Sequence, residues 1–399
     1  MLRFVAPAGS PLTIREIVRA ARAAASFHGG ADEVVTSFAR SIRMRHVFGA
    51  VSGRAALWLI LRSLRSLRPG RCVVAVPAYT CYSVAAAIVR AGLKLYPVDV
   101  DPATLDFDFS QLESLPGENL LCIVTSNLFG LVNDVPRIGE IAGAKGAFVV
   151  DDAAQSVGAS RNGRPSGTFG DVGFYSLGRG KALAAVAGGL IVTNSDEIAS
   201  ALRAEAERLP KSSFADTTGL LFQLLVYSIF LRPHLYWVPN ALPFLKLGIT
   251  EFAPDFQVGG LPPLSCALLP QLLSRLPRMN HMRRENAAAI TASLEGNPRF
   301  FTPRPPPDCE PTYVRLPIVA RDVETRDQAV QKLRAAGIGA TPFYPSAICD
   351  IPGTESHMAV RNHHCPQAES LARRLLTVPT HPLVTERDLS QMAKVLGEI

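Results

Sequence analysis

Strand-like runs, most of them apolar, recur at 72–76, 93–98, 120–125, 147–150, 171–176 and 189–193, and helical stretches such as 83–91 and 135–142 separate several of them. That alternation constrains the fold more than any other feature of the 399 residues. Runs of four to six apolar residues suit strands buried on both faces, and intervening helices supply the crossovers that parallel neighbours need. The expected fold class is therefore α/β, a mostly parallel sheet flanked by helices. Helices are expected at 12–25 and 32–43. A third is expected at 54–67, where apolar residues at 57, 60, 61, 64 and 67 share one face.

A single hydrophobic core stops growing near ~250–300 residues, so a chain of this length should hold two lobes. The bend Leu261-Pro262-Pro263 marks the expected boundary. Residues 1–260 would form an N-terminal segment with the large domain, and 261–399 a smaller α+β domain. A long helix at 265–295 should lead into that domain. Strands are expected at 313–320 and 338–342, with a helix at 326–335 ending at Gly337.

The chemistry concentrates in 149–189. A strand ends in Asp151 and Asp152, delivering acids to the carboxyl edge of the sheet, where ligands of open α/β sheets bind. A second strand reaches Ser176 and runs into Gly178-Arg179-Gly180-Lys181, a turn that glycine permits to bend sharply. A pyridoxal cofactor needs a carboxylate to keep its ring nitrogen protonated and an amine for its Schiff base, and Asp152 and Lys181 suit those two tasks. Ser176 and the glycine-flanked amides suit the phosphate. Burial and a cationic neighbour such as Arg179 would favour the neutral lysine amine. A nucleotide-binding phosphate loop is a poor fit, because Lys181 is followed by Ala182 and Tyr175 breaks the glycine pattern.

With these residues in place, the chain resembles the DegT/DnrJ/StrS-type sugar aminotransferases, pyridoxal-phosphate enzymes of fold type I, from about Ile14 to its end. Asp152-Ala153-Ala154-Gln155 resembles the family's D-A-A-Q, which implies Asp152 on the pyridine nitrogen and Gln155 on the phenolic-oxygen side of the cofactor. Ser176 and Lys181 resemble the phosphate-contacting serine and Schiff-base lysine. Ser52-Gly53-Arg54-Ala55-Ala56-Leu57 resembles S-G-T-A-A-L, a helix entry whose free amides, at Gly53, Arg54 and Ala55, grip phosphate. Arg54 replaces the usual threonine and either faces the phosphate or points to solvent. Pro77-Ala78-Tyr79-Thr80-Cys81-Tyr82 resembles the P-S-Y-T-F segment whose aromatic stacks on the pyridine ring. Here either Tyr82 takes that place or the Cys81 sulfur meets the ring face. The loop Ser126-Asn127-Leu128-Phe129-Gly130 has Asn127 where histidine is common, and Gln257 stands loosely at the position of an asparagine that reaches the partner subunit's phosphate. The resemblance implies a seven-stranded sheet, a homodimer, and amino transfer, with glutamate as donor, to a keto sugar carried on a nucleotide, as in polysaccharide or glycan biosynthesis. The retained Lys181 sets the chain apart from the family's dehydratases, which carry histidine there.

Departures keep other readings in view. After Lys181 the family's polar run gives way to Ala182-Leu183-Ala184-Ala185-Val186-Ala187, and 214–248 is longer and more apolar than its counterpart. A cofactor-binding relative without catalysis, or a pyridoxal enzyme acting on a cyclitol or an acyl substrate, are the alternatives. The apolar run Gly219 to Leu231 is too short to span a bilayer, which needs about 20 residues. It reads as a packed helix, or else as a contact with a membrane surface beside Arg232 and Lys246.

Composition excludes little but is consistent. The net charge of +7 is scattered rather than clustered, which suits an anionic substrate better than nucleic acid. Seven cysteines without a C-x-x-C pair argue for a reducing compartment, and no signal peptide is legible, so a cytoplasmic location is expected, with a peripheral place at the inner membrane face as its variant. His363-His364-Cys365 lacks a second cluster at metal-binding spacing, so no metal is expected.

Overall fold

The structure, a computed structural model, describes residues 3–25, 31–210, 214–242, 250–360 and 363–399. The end of the apolar segment, 243–248 with Lys246, lies outside the described residues.

In chain order the strands are β1 (His46–Ala50), β2 (Val73–Pro77), β3 (Lys94–Val98), β4 (Leu120–Val124), β5 (Phe148–Asp152), β6 (Ser160–Arg161), β7 (Arg164–Pro165), β8 (Val172–Ser176), β9 (Gly189–Thr193), β10 (Phe300–Phe301), β11 (Cys309–Glu310), β12 (Leu316–Ala320), β13 (Thr341–Pro342) and β14 (Leu375–Val378). The main sheet has seven, ordered β1-β9-β8-β5-β4-β2-β3. β3, β2, β4, β5 and β8 run parallel, and β9 is antiparallel to both of its neighbours, β8 and β1. This is the mostly parallel sheet expected from the alternating runs. β4, β8 and β9 are buried along their whole length, as strands covered on both faces should be.

The helix Gly53–Leu67 follows its apolar stripe. Leu57, Ile60, Leu61 and Leu64 are fully buried, each contributing about 1.5–3 kcal/mol. Ser52 caps it, its Oγ accepting the Ala55 amide at 3.1 Å.

A four-stranded antiparallel sheet, β10-β12-β14-β13, carries the second core, with Ile290, Leu316, Ile318, Leu333 and Leu376. Two of its strands are shorter than the apolar runs implied. Tyr313, at φ 46°, turns the chain before β12 begins. Ile338 forms a parallel bridge with Val5, which brings the start of the chain into this core. The helix Pro263–Ser293 follows the proline bend. A small sheet, β11-β6-β7, joins the two halves of the sequence.

The apolar segment forms the helix Phe214–Phe230, which packs against Ile14–Ala25 and Pro263–Ser293 and buries Leu220 and Leu224. Its outer side leaves Phe222 68% exposed, with Val226 and Ile229 beside it in helical spacing. No helix of the described residues is long and apolar enough to cross a membrane.

Candidate active site

The parallel strands end on a cavity of about 740 Å³. Of the residues singled out from the sequence, Gly53, Arg54, Cys81, Asp152, Gln155, Ser176, Lys181 and Gln257 line it together. Ala55 and Tyr82 do not. The Ala55 amide is used by the Ser52 cap. Tyr82 is buried, its hydroxyl 2.6 Å from Ser346 Oγ and its ring stacked on Tyr344. Cys81, the other candidate for the ring face, does line the cavity, its Sγ accepting from Ser83 Oγ at 3.0 Å.

Two adjacent carboxylates at the end of β5 live in different surroundings. Asp151 is a structural anchor, accepting from the Gly167 amide at 2.9 Å, the Phe169 amide at 3.1 Å and Asn127 Nδ2 at 2.8 Å. Asn127 also donates to the Asp152 carbonyl at 2.7 Å and accepts the Asn133 amide at 2.9 Å. The asparagine in the histidine position therefore knits the ends of β4 and β5. Among the described residues, Asp152 takes only the Ala154 amide at 2.9 Å on its carboxylate. Burial pushes it up to about 7, the Ala154 amide and the charge of Lys181 oppose that rise, and Asp151 adds to it. A cation beside this carboxylate, such as a protonated ring nitrogen, would restore its charge.

Lys181 is held below its ordinary range, mainly by burial, with the charges of Cys81 and Asp152 opposing and that of Arg315 assisting. Arg315 is the cation that acts on it. Arg179, the neighbour expected in that role, turns to Gln223 instead, donating to its Oε1 at 2.6 Å. The turn is braced from behind. Ser10 Oγ lies 3.1 Å from the Lys181 carbonyl and 2.8 Å from that of Ala182, and accepts from Arg283 Nη2 at 2.7 Å. Arg283 is 1% exposed, and burial drives its guanidinium down to about 10. Nothing in the local sequence singled out Ser10 or Arg283, because they meet the turn from 171 residues before Lys181 and from 102 residues after it.

The far end of the cavity fits an anion. Gly53 and Arg54 open a helix whose first-turn amides lack carbonyl partners within it. A Cβ on Gly53 would sit 2.7 Å from Ser176 Cβ, so only glycine lets the helix entry approach that serine. The Arg54 side chain leaves this end, donating to the Ala253 carbonyl at 3.2 Å and lying over Phe256. Gln257 lines the cavity of its own chain, and the adjoining backbone is fixed by the Val51 amide donating to the Gly259 carbonyl at 2.8 Å. Gln155 is oriented by donating to the Tyr344 hydroxyl at 3.0 Å and accepting the Phe129 amide at 3.3 Å. A carboxylate and a lysine at one end, with free amides and a hydroxyl at the other, fit pyridoxal phosphate.

The His363-His364-Cys365 run does not converge. His363 packs edge-on to Tyr96, His364 faces solvent, and Cys365 is buried at the start of the helix Pro366–Arg374.

The profile of the DegT/DnrJ/EryC1/StrS aminotransferase family matches residues 16–213 and 259–396. The chain is 28% identical over 354 residues to UDP-N-acetyl-3-dehydro-alpha-D-glucosamine 3-aminotransferase of Acidithiobacillus ferrooxidans, covering 88% of this chain and 83% of that protein. It is 27% identical over 387 residues to L-glutamine:2-deoxy-scyllo-inosose aminotransferase of Streptomyces kanamyceticus, covering 91% and 83%. In fold it is similar to the E. coli GDP-4-keto-6-deoxy-D-mannose-3-dehydratase with bound hydrated PLP, with a TM-score of 0.79 at 22% identity over 99% of this chain and 100% of that one.

Proposed function

Because the chain belongs to the DegT/DnrJ/EryC1/StrS aminotransferase family, we propose that its cavity transfers an amino group, with glutamate as donor, to a keto sugar carried on a nucleotide. The enzyme is a pyridoxal-phosphate-dependent aminotransferase. The observation that carries the acceptor reading is the similarity to the 3-aminotransferase of a UDP-linked sugar, which extends over 88% of the chain.

Pyridoxal phosphate supplies the electron sink when bound. Asp152 holds the proton on its ring nitrogen, a task suited to a buried carboxylate with one amide partner. Lys181, whose amine burial biases toward its neutral form, would carry the proton between the substrate α-carbon and the cofactor's C4′. Ser176, the Gly53 and Arg54 amides and Gln257 would hold the phosphate, Gln155 would meet the phenolic-oxygen side, and Cys81 would cover the ring face. Ala55 and Tyr82 act only through the helix cap and the packing beneath.

A cyclitol ketone is the second reading for the acceptor, favoured by the similarity to the scyllo-inosose aminotransferase. The two sheets are taken as cores of two domains divided near 261, and the enzyme as a cytoplasmic homodimer in polysaccharide biosynthesis. Peripheral contact with the inner membrane face is assigned to the exposed Phe222, Val226 and Ile229, together with Ile14 and Val18 on the adjacent helix, where Arg15 and Arg19 match anionic lipid headgroups. Flotation with anionic vesicles tests it, and loss of the protein from the floating fraction in both wild type and Phe222→Ser overturns it.

The catalytic reading is tested by the absorption spectrum of the cofactor-loaded protein. Glutamate should change it in a Lys181-dependent way, and a nucleotide-linked keto sugar should restore it. Restoration by a cyclitol ketone alone supports the second reading. No response to glutamate overturns the donor assignment, and no restoration by any ketone overturns both acceptors.

A further inference from the structure

The family match stops at residue 213 and resumes at 259, yet the segment between them is built into the cavity wall. Asp216, Gly219, Leu220 and Gln223 of the helix Phe214–Phe230 line the cavity, and their spacing places them on one face of that helix. The helix is tied to the site from two directions. Gln223 Oε1 accepts from Arg179, two residues before Lys181. Tyr227 receives the Ser10 amide at 3.0 Å, and Ser10 in turn braces the carbonyls of Lys181 and Ala182.

The opposite contributor is apolar here. After Lys181 the chain presents Val186 and Ala187 to the cavity, so that turn offers no side-chain hydrogen bond. The inserted helix supplies Gln223, whose Oε1 is occupied by Arg179 and whose Nε2 is therefore the donor left to face an oxygen of a bound molecule. Gly219 adds the second observation. A Cβ built on it meets nothing within 4 Å, and its backbone has no left-handed φ, so neither packing nor conformation requires glycine. Glycine in a helix interior is unfavourable. What the missing side chain does provide is room in the cavity.

We propose that this helix selects the amino-group acceptor: Gln223 donates to a ring or linker oxygen of a hydroxylated ketone, and the gap at Gly219 admits it. The proposal rests on the aminotransferase reading and adds where its acceptor is discriminated. The small amino donor reacts at Lys181 and does not need this wall.

Gly219→Leu is the decisive variant, because leucine favours the helix and the added Cβ meets no neighbour. With the cofactor-loaded enzyme, the rate of the spectral change driven by glutamate should stay within about twofold of wild type, while kcat/KM for the keto acceptor falls at least tenfold through KM. Gln223→Glu, which keeps an acceptor for Arg179 and removes only the Nε2 donor, should raise the acceptor KM several-fold with the same donor rate. An acceptor kcat/KM within twofold of wild type in Gly219→Leu overturns the proposal, as does an equal loss in both half-reactions. A wild-type enzyme inert to every donor and acceptor would instead refute the aminotransferase reading, before any variant is compared.

Discussion

Replacing Asp152 by asparagine should stabilise the cofactor-free protein and weaken the loaded one. In the empty site burial pushes the Asp152 carboxyl from 3.8 to about 7. A native-state acid with a raised pKa binds more protons than the unfolded chain between those values, so stability falls as pH rises from about 4 through 7. The gap, at 1.36 kcal/mol per tenfold, is worth about 4 kcal/mol once both states are ionised. Asparagine escapes that penalty and keeps the acceptor for the Ala154 amide. At pH 8 Asp152→Asn should therefore exceed wild type by up to about 4 kcal/mol, and near pH 4 the difference should vanish. Denaturant unfolding of both proteins without cofactor, from pH 4.5 to 8.5, gives the comparison. Asp106, pushed up to about 6, titrates in both and cancels. With pyridoxal phosphate the order should invert, because the cationic ring nitrogen needs the carboxylate. Parallel pH profiles for the two cofactor-free proteins would refute the reasoning, since Asp152 would then carry no buried penalty.

Gly53→Ala forces a Cβ to within 2.7 Å of Ser176 Cβ, so the helix entry must move and cofactor affinity should fall at least tenfold, about 1.4 kcal/mol; equilibrium dialysis of pyridoxal phosphate reads it. Asn127→Leu leaves the Asp151 carboxylate, the Asp152 carbonyl and the Asn133 amide short of a partner, which should cost about 3 kcal/mol in urea unfolding of the loaded enzyme. Cys81→Ala removes the sulfur proposed for the ring face, and with it the acceptor of Ser83 Oγ, but leaves the Tyr82–Ser346 hydroxyl pair intact, so fold stability should change by about 1 kcal/mol or less in the same assay while cofactor affinity falls several-fold.

The strands with continuous apolar runs were legible because burial on both faces leaves no polar residue to interrupt them. β1 was not. Its His46 and Gly49 break the pattern, and most of it is only half-buried, at the edge of the sheet against β9. β14 was hidden because Leu375 to Val378 follows directly from the helix Pro366–Arg374 with no turn residue between. In the site, motif spacing placed Asp152, Ser176 and Lys181 in one cavity because each ends a strand or the turn after it. Tyr82 shows where such spacing stops. It is the first residue of the helix Tyr82–Arg90, and one step along a helix rotates the side chain about 100°, away from the cavity that Cys81 faces. The Arg179 assignment failed for a related reason: adjacency in sequence does not say which way a long side chain turns, and Gln223 lies 44 residues away.

The bracing of the lysine turn also sets an order in which the protein can be finished as it is made. Lys181 is synthesised long after Ser10, but Ser10 is itself positioned by Arg283 and by Tyr227. A chain that stops short of the helix Pro263–Ser293 carries every motif of the cofactor site but lacks Arg283, the contact that positions Ser10 beneath the carbonyls of the lysine turn.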